Sequence, residues 1–281
     1  GTPVSTSLNG NTYHGFSSSY PGVYSIGEVL EKNGYKNYFL LGSDGDFGGR
    51  KEYFEQHGNY KVMDYYYALD NGWIPKKYNV WWGYEDKKLF EFAKKELTEI
   101  SKNEEHFNFT ILTVDTHFID GYYDETCNSN EFDSQYENVF YCNDSMVYDF
   151  ISWVQNQDFY QNTTIIVTGD HLTMQGGFYT NLDNYQRTVY NVIINSEIKN
   201  PINTKNRLYT VIDMYPTTLA AIGANIEGNK LGFGVNLYSD VKTLPEELGY
   251  EYLNLELAKN STYYNDKILG KTYYEANKKE K

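Results

Sequence analysis

Apolar positions recur along the chain in two alternating rhythms. Ile26, Val29 and Leu30 fall on one helical face, with Ser25 placed to cap it, Glu28 to complete a capping box and Gly34 to stop it. The continuous run NYFLLG (residues 37–42) follows as a short buried strand, and GRKEYFEQHG (49–58) as a turn or two of helix. YEDKKLFEFAKKELTEISK (84–102) is amphipathic, with Leu89, Ala93, Leu97 and Ile100 on one side. FNFTILTV (107–114) is a strand, residues 135–157 form a long helix, and NTTIIVTG (162–169) and VYNVIIN (189–195) are further strands. YTVIDMYPTTLAAIG (209–223) is a helix kinked or begun near Pro216.

Helices alternating with continuous apolar strands predict an α/β fold, with a mostly parallel sheet covered on both faces. In such sheets reactive groups gather at the C-terminal ends of the strands. Residues 1–24 read as loop, and the charged, Tyr-rich tail as a surface-wrapping or fraying extension. The expected division is a domain over 1–244 and an extension over 245–281.

Composition narrows the class. The chain has 281 residues, 40% of them hydrophobic, which suits one large domain with a sizeable core. Thirty tyrosines suit half-exposed rings on a carbohydrate-facing surface, or equally a compositional bias of the genome. A formal net charge of −14 argues against nucleic acid and against docking on anionic lipid. No apolar run is long enough to span a membrane, and no signal peptide is seen. The chain opens at Gly1 in turn-like sequence, as a trimmed fragment would, leaving room for a membrane anchor upstream. Cys127 and Cys142 lack zinc-site spacing; the polar loop between them suits a disulfide, and two free thiols are the alternative.

Three strand ends carry candidate chemistry. The strand Thr164–Thr168 runs into Gly169, Asp170 and His171. An adjacent carboxylate and imidazole suit Mn²⁺, Zn²⁺ or Mg²⁺, and Asp170 equally suits a capped turn. The run TVDTHF places His117 just past a strand, where it would bond a phosphate or assist a leaving group, with Asp115 to orient it. GSDGDFGGRKEYF places Arg50 after a glycine-rich turn; its guanidinium matches phosphate oxygens, and a surface ion pair is the plainer role. The turn is not a Walker loop. His57 reads as structural. The segment 70–86, with Trp73, Trp81 and Trp82, suits a lid, a sugar-facing patch or ordinary packing.

The segments YSIGEVLEKNGYKNYFLLGSDGDFGGRKEYFEQHG, FTILTVDTHF, IIVTGDHLTM and IDMYPTTLAAIGANIEGNKLGFGVNLYS, in this order, resemble the extracellular domains of bacterial phosphoglycerol transferases. That group includes lipoteichoic acid synthases, within the sulfatase/alkaline phosphatase superfamily. The resemblance spans about residues 20–240. It implies a sulfatase-like sheet and transfer of sn-glycerol 1-phosphate from phosphatidylglycerol to a surface glycan or teichoic acid acceptor. A metal-activated threonine would form the covalent intermediate.

Matched residue by residue, Asp170 and His171 are the implied metal ligands, and Arg50 and His117 the implied phosphoglycerol contacts. The implied cofactor is Mn²⁺, or Mg²⁺ or Zn²⁺. The resemblance also implies a monomeric enzyme, extracytoplasmic, tethered to the bacterial plasma membrane. Gly48 stands where the family has an aromatic. The family's first strand, ending in a metal-binding glutamate, and its nucleophilic threonine lie before the helix at Ser25, where only 24 residues stand here. The fold is thus expected to lack its first strand and the fragment to be inactive, with Thr6, beside Thr2 and Ser5, as the substitute nucleophile. A hydrolase of the same superfamily and a non-catalytic glycopolymer-binding module are the rival readings. The C/S-x-P-x-R motif of sulfatases is absent from the sequence.

Overall fold

The computed structural model describes residues 1–3, 19–127, 131–178, 185–203 and 205–270. Helix α1 (Ile26–Lys32) begins at the Ser25–Glu28 capping box, and the chain leaves it through Gly34 at φ +83°. Strand β1 (Lys36–Leu41) follows, then α2 (Arg50–Gln56) and β2 (Lys61–Met63). After α3 (Tyr65–Asp70) and the 18-residue α4 (Asp86–Asn103) comes β3 (Phe107–Leu112). The long α5 (Gln135–Gln155), β4 (Ile165–Thr168), β5 (Asn191–Ile194) and α6 (Val211–Ala221) complete the predicted series. Pro216 lies inside α6 rather than at its start.

β1 is central, paired in parallel with β2 on one side and β3 on the other. Alternation along β1 divides the core. Leu40 packs with Met63, Ala68 of α3, and Leu89 and Ala93 of α4. Phe39 and Leu41 face the other way, onto Val62, Tyr60 and Phe54 of α2. Helices therefore cover both faces, as an α/β sheet requires. Leu40, Leu41 and Leu89 are fully buried, worth roughly 1.5–3 kcal/mol each.

The sheet is divided. β4 pairs only with β5, antiparallel, apart from the β2–β1–β3 sheet. All six residues of β3 are half-buried, as are Ile165, Ile166 and Val167 of β4. Among the described residues no strand pairs with the outer edge of either.

Beyond α6, the short β6 (Lys230–Leu231) and β7 (Gly234–Val235) form a hairpin against it. α7 (Leu244–Leu248) and α8 (Tyr250–Leu257) follow. The tail packs as far as Leu269, which is buried, while Gly22 N–H bonds Ile268 O at 3.2 Å. The Tyr264 hydroxyl bonds Pro3 O at 2.8 Å. Cys127 and Cys142 are joined as a disulfide, Cα–Cα 5.7 Å, tying the 121–127 segment to α5. No helix among the described residues is long and apolar enough to cross a membrane.

Candidate functional site

The loop after β1 builds one wall. Gly48 and Gly49 both take left-handed backbone, at φ +68° and +74°, which a side chain would strain. Their turn swings Arg50 back against the strand end, where Nη2 donates to Asp44 O at 2.7 Å and Ser43 Oγ at 3.3 Å. Arg50 Nε is buried and has no partner among the described residues. Burial lowers the Arg50 pKa, and the charges of Asp44 and Asp170 oppose that shift. The Phe47 ring lies 5.2 Å from the Arg50 guanidinium carbon. An aromatic thus accompanies Arg50 although Gly48 is small.

The loop after β3 carries His117. Its Nδ1 lies 2.6 Å from Phe118 O, an acceptor only, so the neutral ring keeps its proton on Nδ1 and leaves Nε2 open. The Trp82 ring sits 4.8 Å from the imidazole and 5.5 Å from Phe47. Phe47 and Trp82 therefore link Arg50 to His117 as one aromatic wall. Of the three clustered tryptophans, Trp82 is exposed at this wall, whereas Trp73 packs on Tyr67 and Phe92.

Asp115 does not orient His117. Its Oδ2 accepts the Asp86 N–H at 3.0 Å. Asp86, fully buried at the start of α4, accepts Val114 N–H at 2.8 Å, Asp115 N–H at 3.0 Å and Asn143 Nδ2 at 2.8 Å. Burial raises both carboxyl pKa values, and the Asp86 charge raises that of Asp115 further. Asp115 Oδ1 has no partner among the described residues. This node fixes the base of the His117 loop. Its sequence signal was a charged residue in register with the buried stripe of α4, three positions before Leu89.

The loop after β4 presents Asp170 and His171, both exposed, with Asp170 Oδ2 3.5 Å from His171 Nε2. His171 Nδ1 lies 2.9 Å from Leu172 O, so the neutral ring carries its proton on Nδ1 and has Nε2 free to ligate. Two ligands at roughly 2.0–2.2 Å from one cation stand about this far apart. A carboxylate oxygen and an imidazole nitrogen this far apart fit a shared divalent ion by donor chemistry. Among the described residues no third His, Cys, Asp or Glu joins them. Thr6 and Ser5 lie outside the described residues. Thr2 sits between Gly1, bonded to the β6–β7 hairpin, and Pro3. His57 is structural, its ring held between Glu28 at 3.1 Å and Ser19 O at 2.5 Å.

The sulfatase family model matches residues 4–224. The chain belongs to the sulfatase family. It is 29% identical over 195 residues to "Phosphoglycerol transferase I" of Citrobacter koseri, covering 66% of this chain and 25% of that protein. The protein of the same name from Escherichia coli strain 55989 is 28% identical over 242 residues, covering 83% and 31%. The chain thus spans between a quarter and a third of these relatives.

Two solved structures share the fold. The lipoteichoic acid synthase LtaP of Listeria monocytogenes aligns with a TM-score of 0.60 at 17% identity, covering 77% of this chain and 56% of that one. An alkaline phosphatase superfamily protein from Vibrio parahaemolyticus aligns with a TM-score of 0.60 at 20% identity, covering 78% and 54%.

Proposed function

We propose that this chain carries the phosphate-handling face of a metal-dependent phosphoglycerol transferase. One observation carries the reading: the buried Arg50 Nε, without a partner among the described residues, feels the charge of Asp170, whose Oδ2 lies 3.5 Å from His171 Nε2. A cationic donor and an open pair of metal-type ligands so close together suit a phosphodiester. The relatives named phosphoglycerol transferase I support the same chemistry.

Arg50 binds non-bridging phosphate oxygens, with Nε as its free donor. Phe47 and Trp82 wall the glycerol end. His117, through Nε2, exchanges a proton with the oxygen that leaves or arrives. Asp170 and His171 would hold Mn²⁺, with Mg²⁺ and Zn²⁺ as alternatives, which when bound neutralises phosphate charge and acidifies a hydroxyl.

In the first half-reaction a threonine oxygen bonds phosphorus and diacylglycerol departs with a proton. In the second, a hydroxyl of a surface glycan or teichoic acid bonds phosphorus and the threonine oxygen is released. Thr6 is this chain's candidate for that threonine. The donor is phosphatidylglycerol, the working form a monomer, and the setting the extracytoplasmic face of a bacterial membrane to which the whole protein is tethered.

The test is incubation of the full-length, membrane-tethered protein with Mn²⁺, fluorescent phosphatidylglycerol and a glycan acceptor. Diacylglycerol release with glycerophosphate on the acceptor is expected. Glycerophosphate found only in water would mark a hydrolase, and glycan binding unaffected by chelator, with no turnover, a non-catalytic module.

A further inference from the structure

The His117 loop and the Asp170–His171 loop both lean on the first turns of α5. Tyr136, 1% exposed, stands between them. Its hydroxyl donates to Thr116 O at 2.9 Å, one residue before His117. The same oxygen lies 2.7 Å from Thr173 Oγ1, two residues after His171. A phenol has one proton, and Thr116 O can only accept, so the Thr173 hydroxyl donates to Tyr136. The relay is buried at Tyr136, where water competes least for its bonds.

Weaker ties run parallel to it at the surface. Asp120 N–H donates to Gln175 Oε1 at 2.6 Å, and Gln175 Nε2 donates to Asp120 Oδ1 at 2.6 Å. The Phe178 ring packs edge-on against Tyr136, with centroids 4.9 Å apart. β3 and β4 share no ladder. Among the described residues no strand joins the two, and the Tyr136 hydroxyl of α5 bonds both of the loops that follow them.

We propose that the Tyr136 hydroxyl is the positioning group that fixes the separation of the His117 loop from the Asp170–His171 loop, so that one glycerophosphate ester meets both at once. The inference rests on the reading of the site as a phosphoglycerol transferase face. Tyr136 touches no reacting atom in this scheme and acts only through the two loops.

The test is amide hydrogen exchange on the 281-residue protein and its Tyr136→Phe variant, which keeps the ring. Amides of 114–121 and of 170–178 should both exchange about fivefold faster, the factor matching one lost buried hydrogen bond. Those of β1 and α4 should not change. Thr173→Val removes only the Thr173 arm and leaves the Tyr136–Thr116 bond, so it should speed exchange chiefly in 170–178, and the double variant should be no worse than Tyr136→Phe alone. Acceleration confined to one loop in Tyr136→Phe, or effects that add in the double variant, would overturn the proposal.

A second measurement uses calorimetric Mn²⁺ affinity with and without sn-glycerol 1-phosphate. In the parent protein the phosphate ester should tighten Mn²⁺ binding at least about fivefold. In Tyr136→Phe that coupling should vanish while each ligand alone binds within about twofold of the parent. Coupling that survives in the variant counts against the positioning role. A parent protein that binds no Mn²⁺ refutes the functional reading instead, and the exchange comparison then decides the positioning role on its own.

Discussion

Replacing Asp115 with Asn should stabilise the protein at neutral and alkaline pH. Asp115 is buried against Asp86, with one oxygen on the Asp86 N–H and the other without a partner. Burial comes first in raising its pKa, followed by the Asp86 charge, with Glu85 and Asp124 adding to it. A raised folded-state pKa means the native protein holds a proton that the unfolded chain has released. That contribution is fully present below the unfolded pKa, near 4, and is lost as pH rises through the folded value.

Each pH unit inside this window is worth about 1.4 kcal/mol, so even a window of one to two units costs the parent about 2 kcal/mol by pH 8. Asn cannot ionise, keeps an oxygen for the Asp86 N–H, and puts its amide where Oδ1 already lacks a partner. Urea denaturation at pH 4.5, 6, 7 and 8.5 measures the difference. The variant should gain about 2 kcal/mol at pH 8.5 relative to its difference at pH 4.5. Parallel stability curves for the two proteins, or a variant that loses ground as pH rises, would refute this account of the carboxyl pair.

The neighbouring carboxylate should respond in the opposite sense. Asp86→Asn sets an amide NH₂ against Val114 N–H, or against Asp115 N–H and Asn143, and should destabilise by about 2–3 kcal/mol at pH 7 in the same titration. Arg207 binds both Glu246 oxygens at 2.7 Å together with Leu237, Ser239 and Val241 carbonyls, so Arg207→Ala should cost about 3–5 kcal/mol. The hydrogen bonds and charge of Arg207 hold the Glu246 carboxyl at about 2, a contribution present above pH ~4.5 and lost as pH falls toward 2. Melting scans over that range should show a shallower acid loss in the variant than in the parent. Reduction of Cys127–Cys142, separated by 15 residues, should remove about 3 kcal/mol, read as a lower melting temperature in dithiothreitol; an unchanged melt would count against the disulfide's stabilising role.

The elements that sequence periodicity announced are those whose apolar spacing is locally complete. The capping box at Ser25, the α4 stripe and the runs that became β1, β3, β4 and β5 fall where their patterns put them. β2 has only three residues and α3 six, too short for either rhythm to declare itself. β6 and β7, two residues each, sit in a glycine-rich turn, and α7 and α8 in charged, Tyr-rich sequence where single contacts, such as the buried Leu253, decide the packing.

The candidates Arg50, His117, Asp170 and His171 were picked from sequence because strand ends in an α/β sheet are where chemistry collects. Their supports were not. Phe47 and Trp82 come from separate segments, the Asp86–Asp115 bond spans 29 positions, and the Tyr136 relay joins residues up to 37 apart. A phenylalanine that faces an arginine, or a tyrosine that bridges two loops, carries no local signature. The role first given to Asp115 failed for the same reason: adjacency to a histidine in sequence does not fix which way a carboxylate turns.

The central claim is that Asp170 and His171 share one divalent cation beside Arg50. Calorimetric titration of the 281-residue protein with Mn²⁺, set beside Asp170→Ala and His171→Ala, tests it most directly. A single site in the parent, weakened at least about tenfold in each variant, is the predicted result. Equal Mn²⁺ affinity in all three proteins, or no binding by the parent, would contradict the account.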